Sequence, residues 1–185
     1  MARPLTPPAR HPLLLGLASL LAVLAPLALV GCGSGGSSVD DPNLPYSFSY
    51  PDGFETGGKA TTPAREGGFE NQTVVAKESG QDLVAVQTQR LRRQVNARLI
   101  PRVKREVEQA ARRTGKVRGR SNVRVGGLDG VSLQMSLQAN GVPVGARWIY
   151  AAKDRTLYWI NCQWQSDRRG VLGACAQVER TFRAR

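Results

Sequence analysis

The hydrophobic and polar positions downstream of residue 45 follow two periods, and the period of two predicts strands. Residues 46–50 alternate aromatic side chains with serine and stop at the turn signal of 51–53. Residues 73–77 and 83–89 flank a polar turn and are predicted to pair as a hairpin. Four further strands are predicted at 122–125, 131–138, 144–152 and 156–165.

The helical period predicts two helices. The first is predicted over 98–114 and is expected to end at Gly115. Its apolar face consists of Ile100, Val103, Val107, Ala110 and Ala111. The second is predicted over 168–180, after a capping signal at Ser166 and Asp167. Its apolar stripe consists of Val171, Leu172, Cys175, Val178 and Phe182.

The last predicted strand determines the expected fold class, because it carries large apolar side chains on both faces. Leu157 and Trp159 alternate with Tyr158 and Ile160. A sheet that is apolar on both faces needs cover on both faces. We therefore predict an α+β domain, in which a mainly antiparallel β-sheet is covered by helices on both faces as an α/β/α sandwich.

The first 31 residues have the pattern of an export signal. Arg3 and Arg10 precede an apolar run over 13–30, and small residues follow it. The segment 29–32, Leu-Val-Gly-Cys, resembles the lipobox of bacterial lipoproteins. It predicts cleavage before Cys32, acyl chains such as palmitate on that cysteine, and a protein anchored at the extracytoplasmic face of the cell membrane. The alternative is an uncleaved anchor or an ordinary signal with an incidental cysteine.

This interpretation divides the chain into three parts. Residues 1–31 are the lipoprotein signal peptide. Residues 32–45 are rich in Gly, Ser, Asp and Pro, which is typical of a flexible tether between the membrane and a domain. Residues 46–183 are then the globular domain.

Cys162 and Cys175 are the two thiols left after lipidation of Cys32. The alternation of the last strand places Cys162 beside Ile160, and the helical stripe includes Cys175, so both thiols are expected in the layer between strand and helix. Disulfides persist in exported proteins. We therefore expect a Cys162–Cys175 disulfide, and the alternative is two buried free thiols.

The positive charge of the chain is concentrated in one segment. The formal net charge is +12, from 26 Lys and Arg against 14 Asp and Glu, and residues 90–124 contain 13 of the basic groups but two of the acidic ones. Opposite the apolar face of the first helix lies a basic stripe, which consists of Arg98, Arg102, Arg105 and Arg112. The stripe is either a solvated surface or a contact for anionic lipid, cell-wall polymer or an envelope protein. Nucleic acid is not an expected partner, since 90–124 has no aromatic residue for stacking and the chain is exported.

The sequence offers little for catalysis. The one histidine, His11, lies in the predicted signal, so the mature chain lacks histidine-based triads and histidine metal sites. Residues 53–59 match part of a phosphate-binding loop, but Ala60 replaces the required hydroxyl. We expect no catalytic residues, no metal site and no cofactor, hence a protein that is not an enzyme. A hydrolase with a carboxylate site is the less favoured alternative.

Several segments together resemble a known family. They are YSFSYPDGFE at 46–55, GGLDGVSLQMS at 126–136, the long hairpin at 144–164 and VERTFR at 178–183. They are similar to the PsbP-like fold, and in particular to the LpqN-like lipoproteins of mycobacteria and other actinobacteria. The resemblance implies a binding or assembly role without a catalytic set. A second binding role is a carrier that holds lipid or glycolipid between sheet and helix, lined by Trp148, Trp159 or Trp164.

Overall fold

The structure is a computed structural model that describes residues 36–57, 68–78, 81–139 and 141–185. The predicted signal peptide and Cys32 lie outside these residues, as do residues 58–60 at the end of the phosphate-loop-like segment. The described residues form ten strands and two helices. They are β1 Gly36–Val39, β2 Tyr46–Pro51, β3 Glu55–Thr56, β4 Asn71–Ala76, β5 Leu83–Arg90, α1 Ile100–Thr114, β6 Lys116–Val125, β7 Leu128–Ala139, β8 Val142–Lys153, β9 Thr156–Trp164, α2 Arg168–Thr181 and β10 Arg183–Ala184.

The larger sheet has seven strands in the order β3-β4-β5-β9-β8-β7-β6, and β1, β2 and β10 form a smaller one. Every strand pairing is antiparallel. Gly126 and Gly127, both with positive φ, form the turn from β6 to β7, and Asp154, with φ 53°, lies in the turn from β8 to β9. The prediction of a mainly antiparallel sheet with two helices is confirmed.

Two large hydrophobic clusters hold the helices to the sheet. The first contains side chains from β2, β9 and α2, including Phe48, Tyr158, Ile160, Cys162, Cys175 and Val178. The second contains side chains from α1, β7, β8 and β9, including Val107, Ala111, Leu133, Trp148, Leu157 and Trp159. Alternate residues of β9 therefore enter different clusters, as the period of two requires.

The prediction of a flexible tether over 32–45 is wrong for its described part. Residues 36–39 are β1, which pairs with β2 along its whole length, and Val39 belongs to the first cluster. The C-terminal Arg185 then forms an ion pair with Asp40 and donates a hydrogen bond to the carbonyl of Asp41. Strand pairing uses backbone N–H and C=O groups, which Gly and Ser also have. A composition rich in Gly and Ser therefore does not reveal this strand. The folded part therefore includes residues 36–39 as well as Arg185.

Two other boundaries also differ from the sequence prediction. α1 begins at Ile100, because the preceding turn is closed by Asn96, whose Oδ1 accepts hydrogen bonds from the backbone N–H groups of Arg98 and Leu99 at 3.1 and 3.2 Å. Arg98 therefore lies in that turn and not in the helix. β6 begins at Lys116, six residues before the predicted strand, because alternating basic and small residues pair with β7.

A buried carboxylate fixes the start of α2. Asp82 is 2% exposed, and its Oδ1 accepts the backbone N–H groups of Gln165, Ser166 and Asp167 at 2.9, 3.1 and 3.1 Å. The hydroxyl of Ser166 donates to its other oxygen. Burial alone would raise the pKa of Asp82, but these hydrogen bonds to the ionised form together lower it.

Asp167 is the N-cap of α2 and connects it to β4. Its side chain accepts the backbone N–H of Gly170 at 2.8 Å and forms an ion pair with Lys77, which directly follows β4. The hydrogen bond from Lys77, and after it the one from Gly170, lowers the pKa of Asp167. Asp82 and Asp167 together place α2 against the first cluster.

Candidate functional site

The basic stripe is exposed in the structure, although its members interact differently. Arg102 contacts Glu106 and Arg112 contacts Glu108, each pair at 2.8 Å and four residues apart on α1. Solvent-exposed pairs of this kind contribute about 0.5 kcal/mol or less, so they hold the guanidinium groups loosely. Within the described part of the chain, Arg98 and Arg105 form no ion pair.

β6 extends this positive surface beyond α1. Arg120 of β6 reaches Glu108 of α1 at 3.2 Å, and Lys104 donates to Asn122 Oδ1 at 3.4 Å. β6 is the edge strand beside β7, and Arg120 lies opposite Leu133 of the second cluster, on the side that α1 covers. The resulting basic face consists of Arg98, Arg102, Arg105, Arg112, Arg113, Arg120 and Arg124.

Sequence reasoning found the helical part of the basic face and missed the part on β6. The signal was present, since basic residues recur at 116, 118, 120 and 124 with the even spacing that places side chains on one side of a strand. A β-bulge between Val117 and Gly119 shifts the register. Arg118 consequently donates a hydrogen bond to Ser136 Oγ at 3.3 Å, while Arg120 contacts α1. Arg124 also lies on the α1 side, because its neighbours Val123 and Val125 pack with the first cluster.

A groove of about 590 Å³ lies between α1, the segment that precedes it and β9. The backbone of that segment is held by the turn between β8 and β9, because Leu91 N–H donates to Arg155 O at 2.7 Å and Val95 N–H to Asp154 O at 2.5 Å. The floor is apolar and the rim is cationic. The floor includes Leu91, Val95, Leu99, Val103 and Leu157, and the rim includes Arg90, Arg92, Arg93 and Arg102.

An aromatic cluster lies next to this groove, on the same side of the sheet. The rings of Trp148 and Trp159 meet edge to face at 4.8 Å, and Tyr150 stacks on Trp159 at 5.3 Å. A cavity of about 30 Å³ separates these rings from Ala110 and Thr114 of α1. Two indole Nε1–H groups, those of Trp148 and Trp159, line it and have no hydrogen-bond partner among the described residues.

Trp164, the third tryptophan named for a carrier lining, is not part of this cluster. It lies on the other side of β9 from Trp159, packs against the first cluster and has the guanidinium of Arg168 5.8 Å from its ring centre. An even position and an odd position of one strand face opposite sides. A ligand site on the α1 side of the sheet would therefore be lined by Trp148 and Trp159 but not by Trp164.

The two cysteines of the folded part form a disulfide. It joins Cys162 of β9 to Cys175 of α2, with Cα atoms 5.8 Å apart, and both residues are fully buried in the first cluster. This separation falls in the ordinary range for disulfides. Both sulfurs are buried away from the groove and the basic face, so the role of the bond is structural.

Within the described ranges, no group of three or more His, Cys, Asp or Glu side chains is arranged to hold a metal ion. Neither α1 nor α2, the helices of the described ranges, is long and apolar enough to cross a membrane.

The comparisons with known proteins identify the fold. No protein-family model and no curated protein matches the chain. Among solved structures, cyanobacterial PsbP (CyanoP) from Synechocystis sp. PCC 6803 is 13% identical with a TM-score of 0.53, over 88% of this chain and 99% of that one. A structure from Bacteroides thetaiotaomicron VPI-5482 is 14% identical with a TM-score of 0.53, over 81% of this chain and 48% of that one. LpqN, involved in cell envelope biogenesis of Mycobacterium tuberculosis, is 15% identical with a TM-score of 0.44, over 82% and 86%. The similarity to CyanoP confirms that this chain has the PsbP-like fold.

Proposed function

We propose that this protein is a non-enzymatic binding protein of the bacterial cell envelope, anchored through Cys32 at the extracytoplasmic face of the cell membrane. Its binding surface is the basic face, and its partner is anionic. The observation that carries this proposal is the gathering of seven arginines from α1, the turn before it and β6 on one side of the sheet. Glu106, Glu108 and Asp129 offset part of this charge, and an excess of four positive charges remains.

We also propose that the domain is an α/β/α sandwich. Tyr158, Ile160 and Cys162 pack with α2, whereas Leu157 and Trp159 pack with α1. Because neighbouring residues of a strand point to opposite faces, we infer that α1 and α2 cover opposite faces of the seven-stranded sheet. The basic face and the groove then share one side of the domain, and the disulfide lies on the other.

The location of the perturbed carboxylates supports a role without catalysis. The two acids with lowered pKa, Asp82 and Asp167, fix the start of α2 and do not line the groove. Glycoside hydrolysis by carboxylates uses two acids that converge on the scissile bond. Among the described residues that line the groove, Glu106 is the one acid, and it pairs with Arg102.

Removal of the basic stripe tests the proposed surface. In a variant with Arg98, Arg102, Arg105 and Arg112 changed to Gln, we expect binding to polyphosphate and to poly-glutamate to weaken by at least about tenfold, because each basic group near an anionic surface contributes about 1 kcal/mol. Binding of the purified mature protein to immobilised polymer at two salt concentrations measures this effect, and higher salt should weaken wild-type binding.

A second variant supplies a control of equal charge. Changing Arg168, Arg169, Arg180 and Arg183 to Gln removes four exposed arginines from α2 and β10, outside the basic face. We expect this variant to bind both polymers within about twofold of wild type, which is a small free-energy difference. Equal weakening of both variants would show that net charge alone, and not the basic face, determines binding.

The groove and its aromatic neighbours favour a lipid or glycolipid carrier as the second candidate function. The supporting observation is the apolar floor beside Trp148 and Trp159, whose buried indole N–H groups would find acceptors in the hydroxyl groups of a ligand. Solvent extraction of natively purified protein distinguishes the two functions. Stoichiometric lipid, together with wild-type polymer binding by the basic-stripe variant, would favour the carrier.

A further inference from the structure

β1, the first described strand after Cys32, and the basic face belong to different layers of the domain. This matters because an anchored domain can contact its own membrane only with surfaces that the anchor allows to approach it. The inference that follows rests on the proposed attachment at Cys32, and it identifies which anionic partner the basic face can reach.

The connection from Cys32 to the folded domain is very short. β1 begins at Gly36, so three residues separate the lipidated cysteine from a paired strand. Four residue steps of extended chain span at most about 14 Å. The start of β1 is therefore held within about 14 Å of the backbone of Cys32, where a tether up to residue 45 would have permitted several times this distance.

β1 belongs to the layer that contains α2. Gly36 pairs with Pro51 of β2, and a Cβ added to Gly36 would lie 3.0 Å from Nε2 of Gln177 in α2. β2 is also joined to α2 by the backbone N–H of Ser49, which donates to Thr181 Oγ1 at 2.9 Å. β1 therefore starts in the α2 layer.

The seven-stranded sheet lies between β1 and the basic face. α1 packs on Leu157 and Trp159, whereas β2 and α2 pack on their neighbours Tyr158 and Ile160. Layers of secondary structure are spaced by about 10 Å, and a helix with its side chains adds about 5 Å beyond its axis. From the β1 layer to the outer side of α1 is therefore about 25 Å, which exceeds the reach of the connection.

We propose that the basic face does not lie on the membrane that carries the anchor and instead binds a phosphate- or carboxylate-bearing polymer of the envelope. If α1 lay flat on the bilayer, the start of β1 would stand too far from the surface for Cys32 to insert. The chemistry of the face also fits an extended polyanion. Its exposed side chains are arginines without exposed aromatic or large apolar groups among them, whereas protein interfaces contain an apolar centre.

Site-specific fluorescence on the anchored, full-length mature protein tests this orientation. One variant carries Gln109→Cys on the exposed side of α1, and its matched control carries Gly173→Cys on α2, where an added Cβ meets no atom within 4 Å. Each label is read in vesicles of phosphatidylcholine and phosphatidylglycerol that contain a headgroup-linked quencher. We expect quenching of the Gly173→Cys label to be several-fold stronger than that of the Gln109→Cys label.

The possible results separate this inference from the proposed function. Equal or stronger quenching at Gln109→Cys would overturn the orientation while leaving the anchor intact. Protein that fails to float with the vesicles would overturn the anchor, and the orientation with it. Addition of soluble polyphosphate to the vesicle-bound protein should change the fluorescence of the α1 label and leave that of the α2 label unchanged. A change confined to the α2 label would place the polymer contact on the α2 side and contradict the proposal.

Discussion

Replacement of Asp82 by alanine is expected to lower the free energy of unfolding by about 3 kcal/mol or more. The substitution removes the acceptor of three backbone N–H groups and of the Ser166 hydroxyl at the start of α2. Buried donors that lose a charged acceptor cost free energy because no water replaces it. Urea unfolding of the purified mature protein, followed by tryptophan fluorescence, measures the change. Asp82→Asn, which keeps the volume and one acceptor, should lose less.

The pH dependence of unfolding provides an independent readout for Asp82. Its pKa is lowered in the folded state, so its contribution to stability is present above the unfolded value of about 3.9 and is lost as pH falls through the lower folded value. The wild-type protein should therefore lose more stability between neutral pH and pH values below about 4 than Asp82→Asn does. Asp129→Asn is the control, since Asp129 is exposed and lies 3.8 Å from Arg124. Equal stability of Asp82→Asn and Asp129→Asn at neutral pH would contradict this assignment.

Loss of the disulfide is expected to have the second large effect. Cys162 and Cys175 are 13 residues apart, and a bridge that closes a loop of about this size restricts the unfolded chain by about 3 kcal/mol. For a domain of this length we expect the double variant Cys162→Ala, Cys175→Ala to melt roughly 6 to 12 °C below wild type. Scanning calorimetry of both proteins without reductant measures the difference.

Reductant separates the bridge from the packing of the two side chains. Wild-type protein unfolded and refolded under reducing conditions should melt close to the double variant, and the double variant should be insensitive to reductant. Alkylation of the unfolded, unreduced wild type should leave Cys162 and Cys175 unmodified. Modification of both residues would show that the thiols are free, and the stability difference would then have to come from packing alone.

The sequence predicted the fold well where side-chain patterns determine structure. The strand at β9 and the two helices follow from apolar periods, because burial on a face selects residues at that spacing. β1 was missed because its pairing with β2 depends on backbone hydrogen bonds that Gly36 and Ser37 make as well as any residue. The extent of β6 was missed because its basic side chains face solvent, so that no apolar alternation marks the strand.

The candidate site was less accessible to sequence reasoning than the fold. The basic stripe could be read from helical spacing, but the contribution of Arg120 depends on β6 pairing beside α1, which is a long-range feature. The same limit applies to Asp82, whose partners follow it by more than 80 residues. Trp164 was grouped with Trp148 and Trp159 by residue type, although strand parity already placed Trp164 and Trp159 on opposite faces.

The attachment at Cys32 underlies both the proposed function and the proposed orientation, and the intact mass of the protein extracted from cell membranes tests it most directly. We expect a mature chain that begins at Cys32 and carries acyl chains on that residue, and we expect Cys32→Ala to appear with the uncleaved signal and without lipid. A chain that begins at another residue, or an unmodified Cys32 in protein released from the membrane by salt, would contradict the anchor.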